Sequence, residues 1–494
     1  MKHLARILLC LTLLSALNAN AQPERPRLVV GIMVDQMRWD FLYTFHDQWR
    51  SDGFRRLLEQ GFSCANTMID YVPTVTACGH ASVYTGTTPA VHGIAGNHYK
   101  INGINTSSVR DNSVTGVGTT TTTGQRSPRN LLVTTLGDEL KLATRFQARV
   151  IGIALKDRAA ILPAGHAADA AYWWDGKAPG FISSTYYMEQ LPKWVSQFNS
   201  KHKNTLGQDL MREQEGVTMT FDLAMEALKN EQLGQDGVTD LLAISISTTD
   251  AAAHKWGTRS TQLDTIYRQL DTQIARLLTT LDQTVGQGNY LLFLTADHGG
   301  THNEPFMTGH KLPSGRFYDY KLREATNKKL SEKFHVDNLI TDAMEYSFYL
   351  NNHAIDSAEL DRDDVAREVC RILEADPTVQ WAVDIHRLAD KPIPAELRER
   401  IIKGYHAGRS GEIFVQPYVG HYASWDGDIT GSNHGTWNQS DSHIPLIFYG
   451  WHIPHGERTQ PNGMIDIAPT IAAMLHIQAP DGTLGKPIPI KPDN

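Results

Sequence analysis

The chain is short of cysteine. It has four in 494 residues, and Cys10 falls in the N-terminal leader described below. At most one disulfide can therefore form among Cys64, Cys78 and Cys370, and a disulfide-framed fold is excluded. Positive charge is not in excess. Lys and Arg number 46 against 54 Asp and Glu, for a net charge of −8, which disfavours general binding to nucleic acid through its phosphates. Beyond the leader no apolar run reaches the roughly 18 residues of a membrane span. Internal repeats are missing, and Thr119 to Thr123, between Gly118 and Gly124, reads as a polar loop. What is left is 41% hydrophobic and 20% charged, an ordinary globular composition. The length fits one large α/β core with insertions, or about three domains.

Lys2, His3 and Arg6 precede an apolar stretch from Ile7 to Leu17, and Ala19-Asn20-Ala21 supplies a small-residue cleavage site before Gln22. This pattern predicts a secretory signal peptide over residues 1–21. The expected product is an exported, periplasmic protein without a membrane span. No cysteine stands at the cleavage point, so a lipid anchor is not expected.

Five segments read as buried parallel strands because Val, Ile and Leu run through them without alternation: Arg27–Val34, Ala148–Leu155, Asp240–Ser247, Asn289–Thr295 and Ile444–Tyr449. Helical periodicity lies between them. It is clearest after Ser260, where Leu263, Ile266, Leu270, Ile274, Leu277 and Leu281 recur at spacings of three and four. Asp466 is a candidate N-cap for a helix from Ile467, with Pro469 in its first turn. Strands alternating with helices predict an α/β sandwich around a mostly parallel sheet. Residues 165–235, rich in Trp and Tyr, and 310–430, charged and helical, read as insertions that could cap a site. Tyr172-Trp173-Trp174 reads mainly as packing.

Polar residues follow the apolar strands closely. Asp35 follows Val34, Lys156 follows Leu155, Asp250 comes soon after Ser247, and Asp297-His298 follow Thr295 and Ala296. In open α/β sheets, sites form outside the carboxyl ends of strands, where distant segments converge. Asp250 and His254 would share one face of a helix. Adding His434 of Asn433-His434-Gly435 gives three carboxylates and three imidazoles, a donor set suited to two zinc ions. Singly, each is as well explained as a cap, a turn residue or a structural histidine. Thr76, in Val72-Pro73-Thr74-Val75-Thr76-Ala77-Cys78-Gly79-His80-Ala81-Ser82, precedes a small-residue stretch able to start a helix. There it would be either an N-cap or a nucleophile, activated by a metal and facing the helix N-terminus that favours anions.

Taken together, these motifs resemble the alkaline phosphatase superfamily, and within it the phosphate-irrepressible, PafA-type alkaline phosphatases. The motifs in order are VVGIMVDQ with Asp35, PTVTACGHASVYTG with Thr76, HGIAGN with Asn97, LKDRAAILPAGH with Lys156 and Arg158, STTDAAAH, TADHGG and NHG. The resemblance implies an alkaline-phosphatase-like sandwich and two zinc ions. Asp250, His254 and His434 would hold one zinc. Asp35, Asp297 and His298 would hold the other, which also contacts Thr76. Two metals about 4 Å apart suit an in-line displacement at phosphorus. The resemblance further implies a phosphothreonine intermediate on Thr76. Asn97, Lys156 and Arg158 would bind the nonbridging oxygens of a small-molecule phosphate monoester. With Lys156 and Arg158 flanking Asp157, an extended segment would aim both cations the same way.

The expected function is an exported zinc-dependent phosphomonoesterase. The alternatives are a nucleotide pyrophosphatase or phosphodiesterase of the same superfamily, and a binding protein that keeps the fold without catalysis. Cys78-Gly79-His80-Ala81-Ser82 lacks the Pro and Arg of the sulfatase motif, so a sulfatase is not expected. The departures after Thr76 leave a third, magnesium site in doubt. Neither the physiological substrate nor the oligomeric state follows from the sequence.

Overall fold

The computed structural model describes residues 24–202, 207–425, 427 and 430–491; the leader expected over 1–21 lies outside them. Four apolar segments form parallel strands at the centre of one sheet: β1 (Leu28–Val34), β4 (Val150–Ala154), β7 (Asp240–Ile246) and β8 (Tyr290–Thr295). All are buried along their whole length, as expected when helices cover both faces. Among the described residues the sheet has ten strands. The others are β2 (Phe62–Cys64), β3 (Gly116–Val117), β5 (Ala170–Asp175), β6 (Gly180–Ser184), β13 (Leu446–Gly450) and β14 (Gly456–Arg458). Their order is β14-β2-β13-β8-β1-β7-β4-β5-β6-β3.

Two expectations about the sheet need correction. The Ile444–Tyr449 segment is not a parallel strand. His443 and Ile444 pair with Met68 and Thr67 in a separate small ribbon, and Leu446–Gly450 joins the main sheet antiparallel to β8. Pro445, which has no N–H to give a ladder, separates the two pieces. A strand buried on both faces reads as an apolar run in either direction, so its composition carried no sign of polarity. The 165–235 stretch is also less of an insertion than expected. β5 pairs parallel with β4, β6 pairs with β5, and Tyr172, Trp173 and Trp174 are buried. The two indoles donate to Thr123 O and Gly207 O.

Residues 310–430 contain a second, four-stranded sheet in the order β9-β10-β12-β11, formed by β9 (Ile340–Met344), β10 (Ser347–Leu350), β11 (Val379–Asp384) and β12 (Ile413–Pro417). It has its own apolar cluster around Phe348, Val365, Val369, Leu373 and Val415. Cys64, Cys78 and Cys370 are buried, and no disulfide joins any two of them. No helix among the described residues is long and apolar enough to cross a membrane.

Helices that matter to the site are α1 (Thr76–Thr85), α2 (Asp157–Ala164), α3 (Gln214–Asn230), α4 (Thr248–Trp256) and α5 (Thr261–Leu281). In α5 the expected apolar stripe is buried, and the Ser260 hydroxyl caps the helix by accepting from Leu263 N. Asp466 behaves differently from expectation. It precedes the Ile467–Met474 helix without a side-chain cap bond there, and its carboxylate instead accepts from Gly463 N and Lys486 N. Every side chain of α1 is buried. A Cβ on Gly79 would collide with the backbone of Asp297, so glycine lets α1 lie directly against the end of β8.

Candidate active site

The central strands end level with one another. Val34 pairs with Ile246, Met33 with Thr295, and Ser245 with Ala154. The polar residues that follow are thereby gathered at one edge, as the switch-point rule anticipates. Asp35, Asp250, Asp297 and His298 are all fully or almost fully buried there. One ligand atom each from Asp35, Asp297 and His298 forms a tight group, and a second such group comes from Asp250, His298 and His434. The expected partition placed His254 with Asp250 and His434. In the structure His298 lies between the two sets, its ring stacked on His434 at 3.5 Å. His254 reaches Asp250 from one helical turn away, with Nε2 at 3.0 Å from Oδ1.

The three imidazoles are oriented alike. His254 Nδ1 meets Ser432 O at 2.9 Å, His298 Nδ1 meets Gly299 O at 2.9 Å, and His434 Nδ1 meets Thr74 O at 2.7 Å. A carbonyl only accepts, so each Nδ1 carries the proton and each Nε2 presents its lone pair to the centre, the arrangement of a metal-binding histidine. Asp35 Oδ1, Asp250 Oδ1, Asp297 Oδ2 and His298 Nε2 are buried without a hydrogen-bond partner. Buried polar atoms are rarely left so. Four orphaned donor-type atoms converging in one place fit a metal site by their own chemistry.

Lys156 sits among the carboxylates. Its Nζ lies 2.7 Å from Asp35 Oδ2, 2.5 Å from Asp250 Oδ2 and 3.4 Å from Thr76 Oγ1. Burial opposes its charge, but Asp250 and Asp35 raise its pKa above the usual lysine value. Burial, with Asp250 and Asp297 nearby, pushes the Asp35 carboxyl well up. For His298, burial lowers the pKa to about 3, which keeps its Nε2 free of a proton. Burial also works against the Asp297 carboxylate, yet His298 and His80 hold its pKa below the ordinary range. Three carboxyl groups crowd one ammonium in this buried cluster, and the upward push on Asp35 is the cost of burial and of that excess of acid, an arrangement that calls for cations.

Thr76 is the first residue of α1, with Val75 at the N-cap. It is therefore not the N-cap itself. Its Oγ1 is close to Lys156, and its carbonyl accepts from His80 Nδ1 at 2.8 Å. The helix N-terminus is less open than expected, because Asn97 Oδ1 accepts from Ala77 N at 3.0 Å. That bond brings Asn97 against the residue following Thr76.

Arg158 departs from the expected geometry. Lys156 is extended, but α2 begins at Asp157, so Arg158 lies in the first turn of a helix and not one pleat along a strand. Its main-chain N–H donates to Asp157 Oδ1 at 2.7 Å, and its Nη1 is 3.7 Å from the same oxygen. Its Nε is buried without a partner. Asp157, held by Arg126 at 2.7 Å, favours the helix start through the macrodipole.

Sequence reasoning missed His80, Glu345 and Tyr346. His80 is buried, with Nε2 2.7 Å from Ser245 Oγ and Nδ1 3.3 Å from Asp297 Oδ2. Its place inside the Gly79-His80-Ala81 motif was the available signal. Glu345 and Tyr346 carry no motif.

The profile of the type I phosphodiesterase / nucleotide pyrophosphatase family matches residues 29–436. The chain belongs to this family. Among its relatives, alkaline phosphatase PafA of Elizabethkingia meningoseptica is 40% identical, with 99% of this chain and 98% of that protein covered. A Myroides odoratus protein named calcium-transporting ATPase is 42% identical, with 96% of each covered. The crystal structure of wild-type PafA matches at a TM-score of 0.91 and 39% identity, covering 95% of this chain and 99% of that one. A second PafA structure, at TM-score 0.90, carries substitutions of one threonine, one asparagine, one lysine and one arginine.

Proposed function

We propose that this family member is a zinc-dependent alkaline phosphatase. It hydrolyses small phosphate monoesters through a phosphothreonine on Thr76. The observation that carries this reading is the buried convergence of Asp35, Asp250, Asp297 and His298, with unpartnered ligand atoms, on a threonine hydroxyl 3.4 Å from a lysine ammonium. The resemblance to PafA supports it. So does the order threonine, asparagine, lysine, arginine substituted in one PafA structure, since Thr76, Asn97, Lys156 and Arg158 occur here in that order.

Two zinc ions would be held by Asp250, His254 and His434 and by Asp35, Asp297, His298 and Thr76, with His298 lying between the groups. When bound they supply Lewis acidity at the phosphoryl oxygens and turn the local charge from negative to positive, matching a dianionic ester. The Thr76 oxygen forms a bond to phosphorus as the bond to the ester oxygen breaks, and the departing alcohol takes a proton. Water then attacks the phosphothreonine, releasing inorganic phosphate and the Thr76 hydroxyl. Lys156 places a buried cation beside the attacking oxygen, and Asn97 and Arg158 serve the nonbridging oxygens. The leader-like pattern over residues 1–21 supports a periplasmic site for this activity.

The test is steady-state hydrolysis of p-nitrophenyl phosphate against its methyl diester, with and without a chelator. Chelator-sensitive preference for the monoester is the expected result. Preference for the diester by orders of magnitude would move the enzyme to the phosphodiesterase side of the family, with Thr76 and the acid–imidazole set retained.

A further inference from the structure

The β9–β10 hairpin of the smaller sheet turns through two residues. Met344 pairs with Ser347, leaving Glu345 at φ +50 and Tyr346 at φ +68. Two successive positive φ values belong to a tight turn that Gly, Asn and Asp favour. Larger side chains are strained in this region, and such retained strain points to a use for the side chains.

Both side chains reach the site. The Glu345 carboxylate accepts from Asn97 N at 2.8 and 3.1 Å and from His98 N at 3.3 Å. The buried Tyr346 donates its hydroxyl proton to His434 O at 3.0 Å and accepts from Ala423 N at 2.9 Å. Two glycines make room. A Cβ on Gly96 would strike the Glu345 carboxylate, and a Cβ on Gly435, at φ +114, would strike the Tyr346 ring. Each glycine adjoins a site residue, Asn97 in one case and His434 in the other. One turn from the second sheet thus accounts for glycines in two separate motifs.

We infer that Glu345 is a positioning residue for Asn97, and that the Glu345–Tyr346 turn registers Asn97 against His434. This rests on the proposed reading in which Asn97 donates to a phosphate oxygen. Glu345 binds the main chain of Asn97 while Ala77 N occupies Asn97 Oδ1, so the amide NH₂ is the end left for a ligand. A carboxylate this close to a dianion site repels the substrate. Its own role is therefore not phosphate binding, and two backbone N–H groups, those of Asn97 and His98, engage it instead.

The test is a double-mutant cycle on the zinc-loaded full chain, reading kcat/KM for p-nitrophenyl phosphate and the inhibition constant of inorganic phosphate. Glu345→Ala should lower kcat/KM about 10- to 100-fold, the scale of an ångström-level misplacement. It should weaken phosphate binding in parallel and cost nothing further in an Asn97→Ala background. Glu345→Gln, which keeps an acceptor oxygen, should restore most of the activity. Glu345→Asp, one methylene short, should fall between, and serves if the alanine variant does not fold. Equal losses in both backgrounds, or unchanged kcat/KM in a folded Glu345→Ala, would overturn the inference. Unchanged kcat/KM in Asn97→Ala would instead overturn the phosphate role of Asn97, and the inference with it.

Discussion

Asp35, Lys156, Asp250 and Asp297 all stand within a few residues of the ends of four parallel strands in register. Asn97, Arg158 and Glu345 do not. Asn97 sits in a loop, Arg158 in the first turn of a helix, and Glu345 on a hairpin of another sheet. The first group inherits its precision from a ladder that hydrogen-bonds at every step. The second is held by a few side-chain contacts, such as Asn97 Oδ1 with Ala77 N and the Glu345 carboxylate with Asn97 N and His98 N. The comparison teaches that the acid–imidazole half is fixed by the core, while the half proposed to face the phosphate is held from outside it.

Breaking the first group, or the Thr76 hydroxyl beside it, should cost most. Thr76→Ala, or Asp250→Asn, is expected to lower monoester kcat/KM by more than about 1,000-fold. Metal analysis should show the zinc content of Asp250→Asn falling while that of Thr76→Ala is largely kept. A Thr76→Ala enzyme of near-normal activity would sink the nucleophile assignment. Lys156→Ala comes next, at about 100- to 1,000-fold, the range for removing a preorganised charge beside the reacting atoms.

In the second group, Asn97→Ala and Arg158→Ala are expected to cost about 10- to 100-fold each against the monoester. They should cost less against a diester, which has one fewer charged oxygen. Equal losses on both substrates would erase the distinction drawn here. Gly79→Ala probes the seam between helix α1 and the Asp297 strand end. The added methyl has no room, and thermal melts should show about 1–3 kcal/mol of destabilisation.

The smallest effect lies off the site, at His92. It is buried, with Nδ1 accepting from Ile94 N at 3.1 Å and Nε2 facing Ser82 Oγ at 3.1 Å. Burial, then His406 and Arg409, lower its pKa to about 3. The folded value is below the unfolded one, so the neutral ring's contribution is complete above about pH 6.5 and is lost as pH falls toward 3. Melting curves across that window should decline less steeply for His92→Gln than for the parent. Identical slopes would remove this residue from the account.

Legibility followed the same division. Asp35 and Asp297 were readable because apolar runs mark where strands end, and the Asp250–His254 spacing already implied one helical face. The stripe of α5 and its Ser260 cap were equally local. The Ile444–Tyr449 run reads as a strand, and Leu446–Gly450 forms one, but its polarity is opposite to that expected, since an apolar run is the same in both directions. Arg158 was misplaced because α2 begins one residue after Lys156, and a helix boundary of one residue is not encoded in periodicity. Glu345 and Tyr346 form a tight turn without the Gly, Asn or Asp that usually marks one, and their importance arises only from contacts 77 to 248 residues away in sequence.

The sequence by itself determined the α/β class, the central strands and the donor types at their ends. Those depend on side-chain chemistry and on near-neighbour spacing. Tertiary structure alone decided that His298 lies between the two metal-type groups, that Lys156 reaches Asp35, Asp250 and Thr76 together, and that a hairpin of the smaller sheet holds Asn97 and His434. The physical reason is that burial, orphaned polar atoms and close approach at glycine are properties of packed surfaces, and a linear order of residues does not contain them.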